Sequence, residues 1–242
     1  MSTLHRKKLY ARTKRTLRHM SPVHLVKARQ VATIVRRFAE KLGLVYFGTV
    51  HQNDDDHRLV RGHTVSHTHR DNHYSVGSVR GYDVALVLRN DVVLTRKTHK
   101  EQRCHWLILT VDLHTKSTLP HFYIGHRNRL TVFESSFEQL APLYVGGLLP
   151  YSHHFLDEYA VYGRATHTLE IERCVTPQVA EVIVSHFDHA SVEVEDNTLY
   201  LYVESPHPDE AQLDKLLSNG LWLAEAIDTN LAALYCDIPE NK

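Results

Sequence analysis

The chain predicts an α+β fold: an N-terminal helix, a central and mostly antiparallel sheet or partly closed barrel, and a C-terminal sheet backed by two helices. Three observations lead there. Short runs rich in β-branched and aromatic residues, separated by turn residues, fill the middle of the chain. Apolar residues at three-four spacing mark one helix near the start and another at the end. Between them, SVEVE and TLYLYVE flank Asp196-Asn197, a strong hairpin signal. At 242 residues, with 43% hydrophobic and 23% charged, the chain can bury a substantial core. The expected organisation is a basic arm over 1–20, a helix with a β-rich domain over 21–150, and an acidic α+β domain over 151–242.

In order, Ser21-Pro22 supplies an N-cap and a proline at the first helical position. Val23, Val26, Val31, Ile34, Val35, Phe38 and Leu42 then approximate one apolar stripe, and Gly43 provides the stop. Residues 44–50 read as a strand and 51–57 as a polar loop. HTVSHTH, YSVGSV and YDVALVLR follow as strands, parted by Arg70-Asp71-Asn72 and by Arg80-Gly81. Asn90-Asp91 predicts a tight turn into DVVLT, and a charged loop over 96–103 leads to HWLILTVDL, HFYIG and LTVF. Beyond residue 150, 155–163 and 168–172 read as strands, and Thr176-Pro177 opens a helix to about Phe187. Pro208-Asp209 opens the last helix, whose Leu213, Leu216, Leu217, Leu221 and Leu223 face the core, with Gly220 as a candidate break.

The formal net charge of zero conceals a division. Residues 1–39 hold eleven Lys/Arg and no Asp/Glu, whereas residues 151–242 hold four basic and seventeen acidic side chains. Segregation of this kind predicts an electrostatic surface for a partner, or a match between the two ends of the chain. Cys104, Cys174 and Cys236 are odd in number and widely spaced, which points to free thiols rather than a disulfide framework. No apolar run approaches the roughly 20 residues needed to span a bilayer, and the N-terminus lacks the apolar region of a signal peptide. The expectation is a cytoplasmic protein, peripheral at the inner membrane if the basic arm binds lipid.

Two features carry candidate chemistry. Arg6, Lys7, Lys8, Arg12, Lys14, Arg15 and Arg18 form an arm without acidic relief, suited to phosphate backbones or anionic headgroups. The second is histidine: the chain has 20, and His63, His67, His69 and His73 fall within eleven residues. On a strand, residues two apart share a face, so His67 and His69 can aim two imidazoles at one Zn²⁺ or other divalent transition metal, with His63, His73 or Asp71 completing the shell. Gly62, His67, His69, His73 and Gly81 approximate the rhythm of cupin metal sites, with His73 where a cupin has glutamate. Against this stands a histidine bias spread along the whole chain, which makes clusters without a ligand. The acidic turn His51, Asp54, Asp55, Asp56 and His57 reads as solvated, and Gly77 and Gly81 in VGSVRGYD read as turn or bulge positions, not a phosphate loop.

Phe155 with YAVY (159–162), the Thr176-Pro177 helix, the EVEDNTLYLYVE hairpin and the last helix resemble the C-terminal part of an uncharacterised bacterial α+β domain family, often found behind a membrane-spanning segment. The words HYSVG and GLWLA are similar to those of hypothetical proteins of small-genome bacteria. The resemblance covers about residues 40–235 and implies a soluble relative of membrane-linked domains, with no established activity or catalytic residues to carry over. The leading expectation is therefore a non-enzymatic binding or adaptor protein that docks its basic arm on a nucleic acid or an anionic membrane surface. The alternative is a metal-binding protein or metal-dependent hydrolase centred on the His-x-His strand; a structural subunit bound to a protein partner is a third.

Overall fold

A computed structural model of the chain describes residues 22–50, 70–95, 100–129, 140–147 and 149–236. Helix α1 (Pro22–Leu42) opens the described fold. It ends in a Schellman motif: Gly43 takes φ 72°, its N–H bonds Glu40 O at 3.2 Å, and the Leu44 N–H bonds Ala39 O at 2.9 Å. The short strands β1 (Val45–Tyr46) and β2 (Thr49–Val50) follow, and both pair with β3 (Arg70–Val79). Strand β4 (Tyr82–Thr95), β5 (Lys100–Asp112), β6 (Phe122–His126) and β7 (Ala141–Pro142) come next. The rest is α2 (His153–Glu158), β8 (Tyr159–Gly163), α3 (Thr168–Cys174), α4 (Pro177–His186), β9 (Ser191–Glu195), β10 (Thr198–Glu204) and α5 (Glu210–Cys236).

The described strands form one open antiparallel sheet in the order β1-β3-β4-β5-β10-β9-β6-β8-β7, with β2 also on β3. It is not a closed barrel. Its middle joins distant parts of the sequence, since β10 pairs with β5 from Thr198↔Asp112 to Glu204↔Trp106. The sheet thus runs without interruption across residue 150.

Strand alternation gives the sheet two unlike faces. One is aliphatic, with Leu86, Leu107, Leu109, Val192, Val194, Leu199 and Leu201 packed against the helices. The other carries Val87, Trp106, Ile108, Tyr123, Tyr162, Tyr200 and Tyr202 in a smaller buried cluster. Buried Asp71, Arg89, Asp91 and Glu193 occupy strand positions of this second face.

Several local expectations are corrected. Asn90-Asp91 makes no turn: β4 runs through it, with Asn90 opposite His105 and Asp91 opposite Cys104. Neither residue is followed by the glycine that a two-residue turn favours, and twelve residue pairs of β4 and β5 reward continuous pairing. For the same reason β5 begins at Lys100, inside the expected charged loop. Arg70-Asp71-Asn72 likewise belongs to β3, where the turn chemistry appears as a bulge between Asn72 and Ser75 with His73 at φ 57°. Arg80-Gly81 does form the β3–β4 turn, with φ 52° and 86°, whereas Gly77 lies within β3, its missing side chain making room for Leu44.

The expected strand over 155–163 divides: Ser152 accepts the Phe155 N–H and caps α2, and only Tyr159–Gly163 is extended. Residues 168–172 are helical in α3, burying Ile171, Glu172 and Cys174 at helical spacing. Gly220 does not break α5. A Cβ there would stand 2.4 Å from Leu109 Cδ2 and 3.0 Å from Leu201 Cδ1, so the glycine lets the helix lie closely on the sheet. Asp209 caps α5 by accepting the Gln212 N–H at 2.8 Å. The expected strands over 63–69 and 130–133 lie outside the described residues.

Candidate functional site

Helix α1 has two unlike halves. From Val31 onward, Val31, Val35, Phe38 and Ala39 are buried and anchor it. Before that, Val26, Lys27, Ala28, Arg29 and Gln30 are all exposed, and Val26, expected in the stripe, is 54% exposed. Five consecutive residues cover every direction around a helix, so this part of α1 stands clear of the described fold. Among the described residues no carboxylate pairs with Lys27, Arg29, Arg36 or Arg37, and the first turn holds no acidic residue to offset the positive helix end.

The anchored end is different. Lys41 Nζ lies 3.1 Å from Glu210 and 3.3 Å from Asp214 of α5, and these two carboxylates raise its pKa. Arg36 sits over the Tyr46 ring at 5.2 Å. Tyr46 Oη in turn lies 2.7 Å from His73 Nδ1. Among the described residues, the ion pairs from α1 to the acidic end come from Lys41, which lies just beyond the basic segment 1–39.

Of the four histidines expected to bind metal, only His73 is described. Burial lowers its pKa and favours the neutral imidazole. One ring nitrogen is already engaged by Tyr46. His63, His67 and His69 lie outside the described residues, as do Arg6, Lys7, Lys8, Arg12, Lys14, Arg15, Arg18 and the acidic turn over 51–57.

The second face of the sheet holds ionic groups that the sequence reading did not single out. Arg89 and Asp71 face each other across β4 and β3, with Nε–Oδ1 at 2.7 Å and Nη2–Oδ2 at 2.8 Å, both nearly inaccessible. Glu193 is fully buried and accepts from Tyr202 Oη at 2.6 Å, while His121 Nε2 lies 2.9 Å from its other oxygen. His121 Nδ1 is 3.8 Å from Glu195. Burial first, and Glu193 second, push the Tyr202 pKa well up. The available signal was parity: Arg89 and Glu193 interrupt apolar strands at positions that alternation assigns to one face.

Two clefts open beside the sheet, the first on this face and the second toward the helices α3 and α5. One, of about 440 Å³, is edged by Asp83, Asp112 and Asp196 with Tyr74 and Tyr200, and no Lys, Arg or His lines it among the described residues. The other, of about 760 Å³, is lined by Leu119, Cys174 and Leu231, with His121, Arg164 and Arg173 among its polar lining. Burial pushes the Cys174 thiol up to about 12, which makes it a poor nucleophile.

No family model matches the chain, and no curated protein matches it. A solved structure, that of the mycobacterial trehalose monomycolate transport factor A (TtfA), is similar with a TM-score of 0.55 and 15% identity. The match covers 84% of this chain and 95% of that one. Identity at that level speaks for the fold alone. Among the described residues no helix is long and apolar enough to cross a membrane. The comparisons therefore describe an α+β architecture shared with TtfA.

Proposed function

We propose that the chain is a non-enzymatic docking protein whose basic N-terminal segment and exposed α1 turns engage a polyanion, through the phosphates of a nucleic acid or of an anionic membrane surface. The observation that supports this reading is the exposure of α1 from Val26 to Gln30, which carries Lys27 and Arg29 with no described carboxylate partner. A helix exposed on all sides gains little from packing, and repulsion among like charges weakens it further. Phosphate contacts repay both terms. The eleven basic residues of 1–39 supply the long-range attraction, while the buried half of α1 fixes the helix to the sheet.

Charge reversal at Arg12, Lys14, Arg15 and Arg18 together should abolish retention of the full chain on RNA and on phosphatidylserine vesicles at low salt. Retention equal to that of the unaltered chain on both would refute the reading. Retention lost on one support only identifies the partner class, because each phosphate contact contributes separately on each surface.

A further inference from the structure

Three residues far apart in sequence meet at one end of the sheet: His126, the last residue of β6; Glu158, the last residue of α2; and His189, in the connection from α4 to β9. Each offers one ligand atom, and the three atoms lie within 4.8 Å of one another. The His126 and His189 rings are 4.2 Å apart, inclined at 61°, and the Tyr159 ring lies 5.4 Å from that of His126 at 87°. His126 is buried, Glu158 half-buried and His189 exposed, so the group has a fixed floor and an open outer side.

From this geometry we infer a divalent transition-metal site, with Zn²⁺ bound by His126, Glu158 and His189 and an outer position left to water. Two imidazoles and one carboxylate form a donor set that suits zinc, and three protein ligands with one open position is an arrangement zinc accepts. The supports around the set fit that role. Asp188 and His189 both adopt left-handed backbone, with φ 47° and 63°, a conformation that costs energy in a non-glycine residue and aims the His189 ring. His154 Nε2 lies 3.2 Å from Glu158 Oε1, so one carboxylate oxygen can be held by His154 while the other ligates. Two nearby cations have other partners: Lys215 pairs with Asp188, and the Arg127 guanidinium donates to Leu156 O at 3.1 and 2.8 Å. This site is separate from the histidine run 63–73 and independent of polyanion docking.

With 20 histidines in the chain, weak adventitious binding is the rival explanation, and stoichiometry with site variants separates the two. The full chain, prepared without a polyhistidine tag and stripped with chelator, would be titrated with Zn²⁺ against a chromophoric competitor, with Co²⁺ spectra as a second readout. We expect one tight site per chain and a low-symmetry Co²⁺ spectrum. His189→Asn, which tolerates the left-handed backbone, and Glu158→Gln should each weaken that site by at least about tenfold and remove the Co²⁺ signature. A variant with His63, His67 and His69 changed to Gln should keep both. No tight site, a tight site indifferent to His189→Asn and Glu158→Gln, or one lost with the 63–69 variant would overturn the inference.

Discussion

The two halves of α1 share one sequence pattern and meet different fates. Residues 31–42 bury Val31, Val35, Phe38 and Ala39, stack Arg36 on Tyr46 and pair Lys41 with α5. Residues 26–30 are all exposed, although Val26 continues the same apolar spacing. The difference shows that periodicity reports what a helix can bury, whereas burial depends on what packs beside each turn. An anchored end whose Lys41 is paired and a projecting end with no described ion pair make a helix that holds its place and displays its charge.

The largest expected effect removes the anchor. Phe38→Ala should cost about 3–5 kcal/mol of unfolding free energy, as for other large buried aromatics, read by denaturant titration; a loss below 1 kcal/mol would mean that the anchored half is not anchored. Next, Gly220→Ala tests how closely α5 lies on the sheet. The added Cβ would clash with Leu109, and overpacking of about 1–3 kcal/mol should exceed the gain of about 1 kcal/mol in helix propensity. A more stable variant would show that α5 stands farther off.

Acidification offers a finer probe of the Arg36–Tyr46–His73 contact. Burial lowers the His73 pKa in the folded chain, so the unfolded chain binds the proton more readily. The contribution of His73 is therefore fully present above its ordinary value near 6.5 and is lost as pH falls toward the lowered value. With EDTA present, stability should decline from about pH 6.5 downward, and His73→Asn should flatten that slope; an unchanged slope would remove His73 from the anchor. The smallest effect belongs to Lys41→Gln. Its pairs with Glu210 and Asp214 are solvent-exposed, and exposed ion pairs add little, so the melting midpoint should stay where it is.

Much of this architecture was legible because the relevant physics is local. The Asp196-Asn197 turn, the caps at Thr176 and Asp209 and the leucines of α5 follow from turn chemistry and period alone. The misreadings arose where tertiary pairing decides. Asn90-Asp91 has turn residues, but continuous pairing with β5 holds it extended. Residues 168–172 are too few to separate strand from helix by pattern, and packing of Ile171 and Cys174 settles them. Gly220 reads as a break until the leucines beneath it are known. For the candidate site, the sequence displayed the charge of residues 1–39 but not which half of α1 is covered. The meeting of His126, Glu158 and His189 leaves no sequence signature, because the fold brings three separate segments together.

We propose contact between the projecting half of α1 and phosphate. Its most direct test is the salt dependence of binding by the full chain and by the Lys27→Glu/Arg29→Glu variant, using single-stranded RNA and phosphatidylserine vesicles in parallel. The RNA affinity of the unaltered chain should fall linearly in a log–log plot against salt. On that support the variant should bind at least about tenfold more weakly, with a slope shallower by about 0.7 per lost contact; if the partner is membrane, the same weakening appears with vesicles instead. Equal affinity and equal salt dependence for the two proteins on both supports would contradict it.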